Sequence, residues 1–132
     1  MGMEMVIRLV IIGAGGFVGA VLRYLVSNWV QYRSGSIIFP FGTMSVNMIG
    51  CFVIGFLTFL VESRALFSPE FRAFVLIGLL GAFTTFSTFS NETLGLIRDN
   101  RIDLALMNAG FQVIVGVAMV WCGRILAANI WR

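Results

Sequence analysis

The chain has 132 residues, of which 59% are hydrophobic and only 11% charged, with a formal net charge of +3. A soluble domain carries about a quarter charged residues, so this composition cannot cover an aqueous surface and the bilayer is the expected solvent. The pI of 9.5 does not indicate nucleic-acid binding, because all nine basic residues are arginines scattered along the chain rather than clustered.

The absence of histidine removes the commonest proton shuttle and metal ligand. Cys51 and Cys122 lie in apolar runs without metal spacing and are expected to be reduced packing residues.

A membrane-crossing helix needs about 20 mostly apolar residues, and four stretches qualify: roughly 9–30, 39–61, 73–97 and 104–127. They predict a single all-α domain of four transmembrane helices. The N-terminal "MGMEMVIR" lacks a cleavage-site pattern, so the first span is expected to stay. That span holds "GAGGFVGAVLRY". A dinucleotide-binding glycine loop would need a preceding strand and an acidic residue about 20 positions on, and the next acid is Glu62. Gly15 and Gly19 instead form a GxxxG pair suited to close helix packing. Arg23, near the end of the span, has two readings: snorkelling to the headgroups, or standing at a pore mouth to attract anions.

The connection "QYRSGS" leads into span two, which opens "FGTMSVNMIGCFVIG". Thr43 and Asn47 are four apart and share a helix face. An asparagine in lipid needs a hydrogen-bond partner, whether as an interhelical tie or as a pore-lining donor. After "ESRALFSPEFR", in which Ser68-Pro69-Glu70 reads as a helix start with Ser as cap, span three carries "GAFTTFSTFSN".

On a continuous helix Thr84, Ser87, Thr88 and Asn91 would form one stripe, with Phe86 and Phe89 close together on roughly the opposite side. Gly78 and Gly81 followed by β-branched threonines make a poor helix. The third helix is therefore expected to break near its middle, freeing carbonyls that could hold a cation such as Na⁺. The "NET" sequon at Asn91 lies within the span and is discounted. Past "RDNRID", span four repeats the amide pattern, with Asn108 and Gln112 four apart.

Four spans place Arg8, Arg64, Arg72, Arg124 and Arg132 on one side and Arg33, Arg98, Arg101 and a snorkelling Arg23 on the other, five against four. The positive-inside rule needs an excess to fix orientation. The near balance predicts insertion both ways and an antiparallel, dual-topology homodimer.

The central membrane region is read as lacking Asp and Glu, so a cation pathway or proton relay lacks its usual groups. Neutral amides and hydroxyls can replace water around an anion, and the positive edge of a phenyl ring can also face one. The residues by themselves lead to a small anion and no further.

The sequence resembles the Fluc (CrcB) family of fluoride ion channels over essentially its whole length, through "GGFVGAVLRY", "GTMSVNMIG" and the specific "GAFTTFSTFSNE". The resemblance implies a dual-topology homodimer in the cell (inner) membrane, with two antiparallel pores that export fluoride passively and relieve its toxicity. Fluoride enters cells as HF and ionises inside, so a leak for the anion lowers the internal level.

By motif position, Phe86 and Phe89 look like the paired pore phenylalanines, Asn47 like the pore asparagine, Thr88 like a hydroxyl of the polar track, and Arg23 like the vestibule arginine. Ser87 is a further pore candidate. Gly81 and Thr84 look like the residues whose carbonyls hold a structural Na⁺ at the dimer interface. The sequence departs from the family at Ala82, where a second Gly is common, and at Met44, where Leu is usual. In span four, Asn108 and Gln112 stand where Tyr or Ser is frequent; donors remain on that pore face.

The alternatives are a small four-span drug or cation transporter and a non-transporting membrane assembly subunit. The first typically needs a carboxylate in span one, where this chain has Arg23. The second needs no matched polar stripes. An enzyme is not expected, since no nucleophile–base pair is visible.

Overall fold

The computed structural model describes residues 2–64 and 66–131, the side chain of Arg64 apart. Arg132 and the Arg64 side chain, both counted in the charge balance, lie outside the described residues. The chain is all-helical: α1 (Met3–Ser34), α2 (Phe41–Arg64), α3 (Pro69–Arg72), a π-helical stretch π1 (Ala73–Leu80), α4 (Gly81–Phe83), α5 (Phe86–Arg98) and α6 (Ile102–Ile130). Four helical segments are long and apolar enough to cross a membrane, with α3 through α5 together making the third. At about 1.5 Å rise per residue, the 32 residues of α1 span about 48 Å and exceed the hydrocarbon layer. Its ends therefore reach into the headgroup zones, beyond the apolar run at 9–30.

Local chemistry sets the ends of the elements. Gly35 closes α1 in the left-handed region (φ 65°), donating its N–H to Tyr32 O, a conformation that costs glycine least. Gln31 then staples the turn into α2. Its Nε2 donates to Ser36 O and Phe39 O, and its Oε1 accepts from Gly42 N–H at 3.0 Å. Ser68 caps α3 as expected, accepting from Phe71 N–H at 3.2 Å, with Pro69 in the first turn.

Glycine decides the packing. A Cβ added to Gly15 would lie 2.2 Å from Phe74 O, and one added to Gly19 would lie 2.1 Å from Leu79 O. α1 and π1 thus lie backbone to backbone, and the GxxxG pair is a close-packing device. The pairing of α2 with α6, the most extensive in the fold, works the same way. Gly55 faces Val120 O, and Gly123 faces Phe52 O. Val46, Leu60 and Ala127 lie at the centre of the bundle, while Phe17, Trp29, Leu106 and Trp121 point outward, as expected where the surrounding solvent is hydrocarbon.

The third span breaks at Thr84 and Thr85. Thr84 adopts φ −86°, ψ 160°, and Thr85 adopts φ −153°, ψ 116°. α5 then restarts with Thr85 as its N-cap, the Thr85 side chain accepting from Thr88 N–H at 3.2 Å. The "TTFST" string carries its own restart signal, a threonine ahead of the first turn. The π-helical turn just before the break was not anticipated from the sequence. Such segments carry an extra residue per turn and often mark functional sites.

Candidate functional site

The break is held from α2. Asn47 pairs with the Thr85 peptide as another peptide would: Oδ1 accepts Thr85 N–H at 2.8 Å, and Nδ2 donates to Thr85 O at 3.1 Å. A segment interrupted inside a membrane must find partners for its freed backbone groups, and a primary amide offers one donor and one acceptor side by side. Thr85 itself is buried. Its hydroxyl lies 3.0 Å from Thr88 Oγ1 and 3.3 Å from Ser87 Oγ, so the three hydroxyls form one cluster at the start of α5.

From Asn47 the polar contacts continue into α6. Nδ2 also donates to Gln112 Oε1 at 2.7 Å, and Gln112 Nε2 donates to Asn108 Oδ1 at 3.1 Å. Asn108 Nδ2 donates to Thr93 Oγ1 at 2.9 Å, and Thr93 Oγ1 donates to Phe89 O at 2.8 Å. Three spans are thereby tied by side-chain amides and hydroxyls. Asn108, a pore candidate by sequence, is fully buried at 0% exposure. It lines neither cleft described below and is bonded to the wall of the first through Gln112.

Two clefts meet at Thr85. The first, of about 350 Å³, is walled by Asn47, Thr84, Thr85, Phe86, Phe89 and Gln112, with Gly81 at its edge and aliphatic side chains behind. The Phe86 and Phe89 rings stand 5.5 Å apart at 57°, so one ring's edge is turned toward its neighbour's flank. Phe86 is 79% exposed. The second cleft, of about 360 Å³, is lined by Arg23, Tyr24, Ser27, Asn28, Thr43, Thr85 and Thr88. Arg23, for which the sequence left two readings, lines this cleft together with Thr88. Among the described residues Arg23 makes no ion pair.

The expected four-residue stripe is split by the break. Thr84 stays with the first half of the span, its hydroxyl donating to Leu80 O at 3.1 Å, while Ser87, Thr88 and Asn91 belong to α5. Thr85, which the periodic reading passed over, is the pivot. Its signal was present in the three-residue step from it to Thr88, the N-cap to N3 spacing.

The carboxylate-free reading applies to the central membrane region, and the span does carry a carboxylate beyond it. Glu92 lies in α5 and turns inward, with Oε1 accepting from Thr43 Oγ1 at 2.7 Å and Oε2 buried without a described partner. It sits toward the end of the span, beyond the Phe86–Phe89 cleft, and lines a third recess with Gln31, Asn28 and Thr43. Gln31 carried no motif that would have singled it out, and Thr93 appeared in the sequence only as the last residue of the discounted "NET" sequon.

The break also changes the backbone partners around Gly81 and Thr84. In an uninterrupted helix Gly81 O would accept from Thr85 N–H and Thr84 O from Thr88 N–H. Here Thr85 N–H goes to Asn47 and Thr88 N–H goes to the Thr85 hydroxyl. Both N–H groups that a continuous helix would direct to these oxygens are taken by the capping contacts. Among the described residues no group of three or more His, Cys, Asp or Glu could hold a metal ion.

Comparison with known proteins gives a concordant result. Residues 10–124 match the family model described as "CrcB-like protein, Camphor Resistance (CrcB)". A Methanosarcina acetivorans protein named fluoride-specific ion channel FluC 1 is 44% identical over 122 residues, covering 92% of each chain. The fluoride-specific ion channel FluC of Methanocaldococcus jannaschii is 43% identical over 131 residues, 97% of this chain and 100% of that one. A Sulfurovum protein of the same name is 42% identical over 123 residues, 93% of this chain and 95% of that one. With nearly all of its length matched, and the broken third helix at the place of its most specific motif, the chain belongs to the CrcB family.

Proposed function

We propose that this chain forms a fluoride-selective channel that lets the anion leave the cell passively; its relatives are named fluoride-specific ion channels. The observation that carries the reading is the cleft at the break, whose polar wall consists of the neutral groups of Asn47, Thr84, Thr85 and Gln112 beside the paired rings of Phe86 and Phe89. Fluoride is small and holds its water tightly, so a path must return the lost hydration through N–H, O–H and ring-edge contacts. Ser87 and Thr88 extend the hydroxyls, and Arg23 in the second cleft raises the local anion concentration at the mouth. No step of this transport is catalytic, and the chain is not an enzyme.

The working unit is proposed to be an antiparallel homodimer in the cell membrane. In support, Phe86 is largely exposed on a single chain and its cleft is open on one side, so a second copy would complete the wall. The balance of arginines is compatible with insertion in both directions. A Na⁺ held by the carbonyls of Gly81 and Thr84 at the interface would add electrostatic cross-linking between protomers; it would be structural and would not move with the fluoride.

Fluoride efflux from liposomes containing the purified protein tests the proposal directly. A fluoride electrode should record release that chloride-loaded vesicles do not match. Absence of fluoride release, or equal chloride release, would refute it.

A further inference from the structure

The relay from Thr85 to Phe89 has a direction, fixed at both ends by backbone. Thr85 N–H can only donate, so Asn47 must meet it with Oδ1 and turn Nδ2 toward Gln112. A group facing that N–H must be an acceptor, so Gln112 presents Oε1 to Asn47 and points Nε2 onward to Asn108 Oδ1. Asn108 Nδ2 in turn donates to Thr93 Oγ1, whose hydroxyl ends on Phe89 O, a carbonyl that can only accept. Reversing the Gln112 amide would set N–H against N–H at Asn47 and oxygen against oxygen at Asn108, costing two hydrogen bonds at once.

The consequence falls on the cleft. Gln112 lies in its wall with Phe86 and Phe89. Its oxygen and one of its two amide hydrogens are already turned into the relay, so the second hydrogen is the group it has left to offer. An N–H there favours an anion, whereas a carbonyl oxygen would repel it. Asn108 is fully buried and Thr93 does not line the cleft, so neither meets the ion.

We propose that Asn108 and Thr93 are positioning residues that lock the amide of Gln112 in the donor-outward orientation, so that a permeating small anion beside Phe86 and Phe89 meets N–H rather than C=O. This rests on the channel reading above and deepens it by assigning part of the selectivity to two residues that the ion does not touch.

Liposome flux with the Thr93 pair of variants separates this role from packing. Valine matches threonine in shape but has no hydroxyl; serine keeps the hydroxyl and loses the methyl. Thr93→Val removes both hydrogen bonds of the hydroxyl; if the relay orients Gln112, loss of the link to Asn108 should lower fluoride flux roughly tenfold, near the upper range for one such bond inside a membrane protein, and should narrow the fluoride-to-chloride ratio. Thr93→Ser should stay within roughly twofold of wild type, because both hydrogen bonds of the hydroxyl, from Asn108 Nδ2 and to Phe89 O, survive. Asn108→Leu should resemble Thr93→Val where it folds. A packing role predicts the opposite order, with Val harmless and Ser worse. That order, or a Thr93→Val channel with wild-type flux and selectivity, would overturn the proposal. Wild-type vesicles that pass no fluoride would instead refute the channel reading and the proposal with it.

Discussion

Replacing Asn47 with leucine keeps the branching of the side chain and removes three hydrogen bonds, at 2.8, 3.1 and 2.7 Å. Side-chain hydrogen bonds inside membrane proteins average about 0.6 kcal/mol and reach about 1.7. Here two of the three partners are the N–H and C=O of Thr85, a buried residue in a broken helix. Leaving them without partners places the loss in the upper part of that range, about 2–4 kcal/mol in all. If Asn47 pins the break, that energy stands between the closed and locally open states of Thr84–Thr85. Each 1.4 kcal/mol is tenfold, so the Thr85 amide should exchange with deuterium about 30-fold to about 1000-fold faster in Asn47→Leu. Amides of Gly55 and Gly123, in the α2–α6 contact, should be little changed. Residue-resolved hydrogen exchange in detergent or nanodiscs measures this, and fluoride flux should fall in parallel. A folded Asn47→Leu protein in which Thr85 exchange is unchanged would refute the reasoning, because the break would then be held by something other than the Asn47 amide.

Phe86→Ile and Phe89→Ile each remove a ring edge from the cleft wall while keeping it apolar. Each should lower fluoride flux in liposomes, by roughly 5–10-fold on the scale of one aromatic contact, and unchanged flux in both would exclude the rings from the path. Gly15→Ala should destabilise the protein by about 1–3 kcal/mol, since its methyl would fall on Phe74 O in the tight α1–π1 contact. Gly13→Ala, with nothing within 4 Å of its added carbon, should be neutral, so equal thermal stability of the two variants would contradict the close-packing account. Complete replacement of Na⁺ by a bulky organic cation should abolish flux and weaken the dimer, as read by efflux and by cross-linking. Indifference of both would remove the cation from the Gly81 and Thr84 carbonyls.

Much of the architecture could be read from the chain because the bilayer imposes simple rules. Apolar runs long enough to cross it, separated by "QYRSGS", "ESRALFSPEFR" and "RDNRID", have little alternative to helices whose backbone groups are satisfied internally. Gly15 and Gly19 announced a close helix contact for the same reason that the structure shows one: without a side chain, two backbones can touch. The weak point at "TTFST" was visible as poor helix propensity, and the break stands there.

What periodicity could not decide is which residues the break would bring together. A continuous helix puts Thr84 and Thr88 on one face. The interrupted one ties Thr84 to Leu80 and leaves Thr85, off that face, to join Asn47 from a span some forty residues away in sequence. The inward turn of Glu92 toward Thr43, the burial of Asn108 and the role of Thr93 likewise depend on partners contributed by other spans. Composition and spacing determined that this chain crosses a membrane four times and carries neutral donors within it. Only the packed bundle decided which of those donors bond one another and which remain for an ion, because a hydrogen bond's direction is set by the group it faces rather than by its own residue type.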